Sequence, residues 1–353
     1  MDVRDFDFDL PAELIAQEPA VDRSAARLLH LDRASGLLTH TFVAALPDLL
    51  RAGDLLVVNN TRVFPARLLG RRVPTGGAVE CLLVRRIGDA SDSRGELWEA
   101  LMHPGQKLRP GGRVVFEGAA TLHGDVLERH FFGRRVIRLW TEDGAPVDAA
   151  VDAQGHVPLP PYIKRDDVAA DRERYQTMFA KARGSIAAPT AGLHFTPDLI
   201  DTLAARGVER AEITLHVGYG TFQPVRVDRV EDHRLEAERY EIDDDAAAAI
   251  ERARRERRRI IAVGTTTVRT LESVARANGG AIRAASGCSD LFIYPGFTFQ
   301  VVTGLLTNFH LPRSSLLMLV AAFAGRDRIL DAYSAAIRER YRFYSYGDAM
   351  LIL

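Results

Sequence analysis

Three histidines, His194, His216 and His310, sit in comparable strand-to-loop positions far apart in the chain, each beside hydroxyls or glycines. Imidazoles of ordinary pKa exchange protons near neutral pH. The loop Pro189-Thr190-Ala191-Gly192-Leu193-His194 adds a hydroxyl and a glycine that permits close backbone approach. Thr196 then reads as a helix N-cap, with Pro197 and Asp198 suited to the first turn. Gly264-Thr265-Thr266-Thr267-Val268-Arg269 offers free amides at a helix start and a guanidinium, a combination suited to a carboxylate or phosphate. Thr307-Asn308-Phe309-His310 again precedes an apolar helix, and Thr214-Leu-His216-Val-Gly218-Tyr219-Gly220 ends in a Gly-aromatic-Gly turn.

Each loop also has a plainer reading, with its hydroxyls as caps and its histidine as a structural hydrogen-bonder. Three histidines in comparable positions favour a shared cleft. There is no HExxH or CxxC spacing, so a metal site is not expected. The GxxxxGK[ST] phosphate loop and the Gly-x-Ser-x-Gly elbow are absent too, and Gly218-Tyr219-Gly220 is no dinucleotide fingerprint. Residue patterns alone reach an α/β enzyme with a polar, anion-tolerant cleft.

The elements that must position these loops alternate between apolar strands and helices. Phe6, Phe8 and Leu10 alternate with aspartates as in a strand, and Pro11 opens a short helix. Arg27–Leu31 and Leu37–Thr41 predict a hairpin with Gly36 at positive φ, followed by a strand over 54–59. Between 66 and 157, short β-like runs (79–85, 113–116, 136–140) and turn clusters predict an inserted all-β barrel-like domain without a helix of useful length. The proline-rich 156–163 is a stiff connection back. Strands at 185–188, 209–217, 259–263 and 291–294 then alternate with helices at 198–206, 245–258, 268–277, 316–323 and 330–341. The expected fold is therefore mixed α/β: a barrel-like α/β domain from residues 1–65 and 158–353, with 66–157 inserted. Function is expected at the strands' carboxyl ends.

A net charge of −1 draws no polyanion globally, so a nucleic-acid partner needs a local patch. The six arginines of 252–259 read as a solvated helix end with 251–255 and 252–256 pairs. Arg62, Arg67, Arg71 and Arg72 cluster at the entrance to the insertion, and the aromatic-basic C-terminal stretch reads as packing. Two distant cysteines, no signal peptide and no long apolar run point to the cytoplasm, away from any membrane.

Several long motifs together carry a resemblance: Asn59-Asn-Thr-Arg-Val-Phe-Pro-Ala-Arg67, Pro158-Leu-Pro-Pro-Tyr-Ile163, Ala187-Ala-Pro-Thr-Ala-Gly-Leu-His-Phe195, Thr214-Leu-His-Val-Gly-Tyr-Gly-Thr-Phe-Gln-Pro224, Gly264-Thr-Thr-Thr-Val-Arg269 and Thr307-Asn-Phe-His-Leu-Pro312. In that order, over nearly the whole chain, the sequence resembles the S-adenosylmethionine:tRNA ribosyltransferase-isomerases of queuosine biosynthesis. The resemblance implies transfer and isomerisation of the ribosyl part of S-adenosylmethionine onto 7-aminomethyl-7-deazaguanine at the tRNA wobble position. The product is epoxyqueuosine, with adenine and methionine released. S-adenosylmethionine is then a consumed substrate and no cofactor is expected. The partners are that tRNA and S-adenosylmethionine; oligomeric state is open, with a monomer as working expectation.

On this resemblance the expected catalytic set is His194, His216, His310 and Arg269. Thr190, Ala191, Gly192, Gly218, Tyr219, Gly220, Gly264, Thr265, Thr266, Thr267 and Asn308 are expected to bind substrate, with Arg269 and Thr265–Thr267 on the methionine carboxylate and Tyr219 or Phe222 on the adenine or sulfonium. Arg62, Arg67 and Tyr162 are the expected tRNA contacts. One departure stands out: Glu236 replaces a usual histidine. A small-molecule lyase using the same loops and a non-catalytic RNA-binding module are the alternatives.

Overall fold

Leu55–Asn59 is buried at every residue because it lies inside a parallel sheet covered on both faces. The computed structural model describes residues 1–90, 95–118, 121–222 and 225–353, with the Phe222 side chain outside the description. Nine strands run in the order Ala285–Ser289, Glu238–Ile242, Glu209–Leu215, Leu55–Asn59, Ile260–Val263, Gly304–Asn308, Ala349–Ile352, Arg27–Leu31, Leu38–Phe42. The four from Glu209–Leu215 to Gly304–Asn308 are mutually parallel, so their carboxyl ends open on one edge. Alternation sends Leu55 and Val57 to one face, with Ile250, Leu271 and Leu317 of three helices. Leu56 and Val58 meet Leu199 and Leu203 of helix Pro197–Ala205 on the other.

Six antiparallel strands between Arg67 and Thr141 close into a barrel. Contrary to expectation, a helix follows them: Val147–Gln154 places Val147, Ala150 and Val151, spaced for one helical face, against the barrel core. The 6–10 alternation is not a strand. Asp2 forms a capping box that winds Val3–Phe6 into a 3-10 turn, and a local cap overrides period-two patterning there. The Arg27–Leu31 hairpin forms with Gly36 at φ 76°.

Leu291–Tyr294 is irregular, and the pairing strand is Ala285–Ser289, while Ala182–Ser185 replaces the strand expected over 185–188. Strands Glu238–Ile242, Gly304–Asn308 and Ala349–Ile352 add to the sheet beyond the sequence expectation. No helix among the described residues is long and apolar enough to cross a membrane.

Candidate active site

Where Ile260–Val263 and Gly304–Asn308 end side by side, a cavity of about 320 Å3 opens. Parallel strands with diverging connections leave such a crevice at their carboxyl ends. Gly264, at φ 90°, turns the first strand straight into helix Thr265–Ala277, and Ser314 Oγ caps helix Ser315–Ala324 by accepting from Leu317 N. Both helix starts line the cavity, which brings their positive dipole ends together. Of the expected substrate residues, Thr190, Ala191, Gly264, Thr265, Thr266 and Asn308 line it, together with His310 and Tyr162.

Asn308 is 2% exposed. Its Nδ2 donates to Tyr344 O at 3.1 Å and lies 3.3 Å from His194 Nε2, which leaves Oδ1 a buried acceptor without a partner. Thr266 Oγ1 is likewise buried and unpartnered in the same wall. Unsatisfied polar atoms are costly away from water, so the pair marks places for a ligand's polar groups. Thr267 differs: its Oγ1 donates to the carbonyl of Val263 at the end of the preceding strand at 2.8 Å, and it does not line the cavity.

His310 Nε2 is 2.9 Å from Thr307 Oγ1, and the backbone N–H donates to Tyr333 Oη. Burial pushes its pKa down to about 3 and that of His194 down to about 4, so both rings are neutral at physiological pH. The neutral-pH proton exchanger expected from ordinary pKa values is thereby corrected for both. His194 sits behind Asn308, in a small recess shared with Ser345, Arg23 and Arg174.

His216 stands apart from the cavity. Its Nδ1 is 2.8 Å from Thr61 Oγ1, which donates to Ser185 Oγ. Burial lowers its pKa as well. Gly184 leaves room for the ring, since a Cβ there would lie 2.7 Å from it. Asn59 Oδ1 accepts from Thr61 N and Leu215 N, so the Asn59-Asn-Thr motif stitches strand ends together.

Arg269 also misses the cavity. Only 4% exposed, it pairs with Glu238 at 2.5 Å and donates to the Leu291 and Ser289 carbonyls. Its donors are consumed inside the protein, which corrects the expectation of a carboxylate ligand. Glu238 Oε1 in turn accepts from Gly218 N and Thr221 Oγ1, so the pair fixes the Gly218–Gly220 turn. Neither Gly218 nor Gly192 lines the cavity; Gly220 lines an adjoining recess with Thr221, Glu236 and Arg269, and Tyr219 packs on the barrel core. The Phe222 side chain lies outside the described residues. Glu236 ion-pairs with Arg134 of the barrel, a clamp that a histidine would not reproduce in this form.

Among the described residues, the aromatics that line the cavity are Phe309, Tyr162 and Tyr344, the last two with ring centroids 3.9 Å apart. Tyr162, expected at the tRNA surface, bonds Ser345 Oγ within the cavity wall. Sequence reading assigned no role to Tyr344, Ser345 and Thr221; Thr221 lies in the quoted 214–224 motif, and the signal for the other two was an aromatic-rich terminus, whose Tyr341, Phe343 and Tyr346 do pack in the core. Arg67 is neutralised by Glu80 at 2.8 Å. Arg62 lines an open groove with Arg23, Arg172 and Arg174, and none of these four has a carboxylate ion pair among the described residues. The 252–259 run is ion-paired, with Arg254–Glu251 and Arg252–Glu209 contacts in place of the expected spacing.

A family model described as queuosine biosynthesis protein matches residues 3–352. The S-adenosylmethionine:tRNA ribosyltransferase-isomerase of Desulfitobacterium hafniense is 51% identical over 353 residues, covering 100% of both chains. That of Anaeromyxobacter sp. is 53% identical over 352 residues, covering 100% of this chain and 99% of its own. A solved S-adenosylmethionine tRNA ribosyltransferase from Thermotoga maritima is 37% identical with a TM-score of 0.55, over 99% of this chain and 100% of that one.

Proposed function

This chain belongs to the queuosine biosynthesis protein family, and on that premise we propose that it is an S-adenosylmethionine:tRNA ribosyltransferase-isomerase acting in the cavity between the two helix starts. The ribosyl group of S-adenosylmethionine passes to the aminomethyl nitrogen of 7-aminomethyl-7-deazaguanine at the wobble position and rearranges to the epoxycyclopentanediol of epoxyqueuosine. Adenine and methionine leave. S-adenosylmethionine is spent as substrate, and the chain needs no cofactor.

One observation carries the site assignment: a cavity of about 320 Å3 with two buried, unpartnered polar atoms, Asn308 Oδ1 and Thr266 Oγ1. Such a volume suits a small-molecule site. The free amides at Thr265 and Thr266 receive the methionine carboxylate. Asn308 Oδ1, held as an acceptor, meets an amino group such as adenine's. Tyr162 and Tyr344 present ring faces to adenine or the sulfonium. The sulfonium acidifies the C5′ hydrogens, and His310, kept neutral by burial, lines the pocket beside it without adding a second cation. His194 orients Asn308. Arg269 and His216 are positioning residues, acting through Glu238 and Thr61. The Arg23, Arg62, Arg172 and Arg174 groove meets tRNA phosphates.

The test is incubation with S-adenosylmethionine and tRNA carrying the aminomethyl-deazaguanine, reading free adenine and the modified nucleoside. Both products are expected. Turnover of a small molecule without tRNA supports a lyase; tRNA retention with no adenine supports a binding module. Either result overturns the proposal.

A further inference from the structure

Phe131 and Phe132 are 86% and 92% exposed on the turn between barrel strands Leu122–Arg129 and Arg134–Thr141. Phe132 adopts φ 54°, ψ 34°, a left-handed conformation that bulky residues rarely take. The turn is nonetheless firmly anchored. His130 N donates to Arg134 O at 2.9 Å, and the buried Arg135 guanidinium holds the carbonyls of Leu108 at 2.9 Å and Arg134 at 2.7 Å. Two large apolar rings are thus held out in water by a rigid base.

The turn also stands next to the site. Arg134, directly after it, pairs with Glu99 at 2.5 Å and with Glu236. Glu236 shares a recess with Gly220 and Thr221, and Thr221 reaches the main cavity. Around the turn, Lys107, Arg109 and Arg129 are exposed, and none has a carboxylate ion pair among the described residues. Gly105, two residues before Lys107, lies against Gly133. Exposed aromatic faces with unpaired cations beside them suit unstacked nucleobases on a phosphate backbone. A duplex hides its base faces; an anticodon loop displays them.

We propose that the Phe131–Phe132 turn is a base-stacking platform for the single-stranded anticodon loop, gripping bases that flank the wobble position while the wobble base enters the cavity. This rests on the functional reading above. It assigns to the barrel the recognition of loop bases, separately from the arginine groove, whose partners are phosphates.

The experiment titrates the full chain with a 2-aminopurine-labelled anticodon stem-loop RNA and measures tRNA-dependent adenine release in parallel. Because both rings are exposed, Phe131→Ala/Phe132→Ala keeps the fold. It is expected to weaken stem-loop binding and raise KM for tRNA by roughly tenfold per ring, with kcat and KM for S-adenosylmethionine unchanged. Phe131→Tyr/Phe132→Tyr restores binding. Arg129→Ala lowers the salt dependence by about one ion, which the Phe changes leave intact.

Stem-loop binding within twofold of wild type in the double alanine variant overturns the platform, and would be the result if the turn docks a protein instead. An equal loss towards blunt duplex RNA, or failure of the tyrosine pair to rescue, also overturns it. Wild-type chain that binds the stem-loop through these rings but releases no adenine refutes the functional reading alone. Normal adenine release with unchanged KM for tRNA refutes the platform alone.

Discussion

Replacing Arg269 separates a substrate ligand from a positioning residue. Arg269 and Glu238 are each 5% exposed at the side chain and 2.5 Å apart. In Arg269→Met, the Glu238 carboxylate keeps Gly218 N and Thr221 Oγ1 but loses its countercharge. Breaking a buried pair from one side costs about 3–5 kcal/mol, which lowers the thermal midpoint by on the order of 10 °C. Arg269→Met/Glu238→Leu removes both charges and is expected to recover most of that loss, giving a coupling of a few kcal/mol in a double-mutant cycle. The assay is thermal and denaturant unfolding of all four proteins, with S-adenosylmethionine affinity by calorimetry. If Arg269→Met costs under about 1 kcal/mol while ligand affinity collapses, Arg269 touches substrate and the positioning argument is wrong.

The buried histidines give a pH signature of definite sign. With native pKa values of about 4 for His194 and about 3 for His310, the unfolded chain binds more protons than the native one below about pH 6.5, so stability falls as pH drops from 6.5 towards 4. His194 alone accounts for roughly 3 kcal/mol of that slope, and His194→Gln should flatten unfolding midpoints measured across this range; an unchanged slope counts against burial as the cause. Asn308→Ala, which removes the unpartnered acceptor and the donor to Tyr344 O, is expected to lower kcat/KM for adenine release by about 5- to 150-fold. Gly184→Ala drives a Cβ to 2.7 Å from the His216 ring, for an expected loss of about 1–3 kcal/mol in denaturant midpoint. Arg62→Ala should weaken tRNA binding uniformly and reduce the salt slope by about one; an unaltered slope removes Arg62 from the phosphate contacts.

Much of the architecture is legible from local pattern. Closely spaced short strands with Gly and Pro turns announce the barrel, and the helix capped by Thr196 starts within a residue of its expected place because caps act locally, whereas the helix expected from 268 begins at Thr265. Local reading failed where partners are distant. Gly304–Asn308 and Ala349–Ile352 earn their strand geometry from each other and from Ile260–Val263, over separations that no window spans. The Leu291–Tyr294 run looked like a strand, yet the Leu291 carbonyl is taken by Arg269.

The same divide runs through the site. Sequence by itself determined which loops carry hydroxyls, imidazoles and helix starts, and, through its long motifs, the family. Only tertiary structure decided which atoms remain free. Arg269 looks like a ligand in a linear motif, but folding supplies Glu238 to it from 31 residues away. Asn308 and Thr266 look no different, yet folding buries an oxygen of each without a partner. Hydrogen-bonding capacity belongs to the residue type; whether it is already satisfied depends on neighbours that packing brings from elsewhere in the chain.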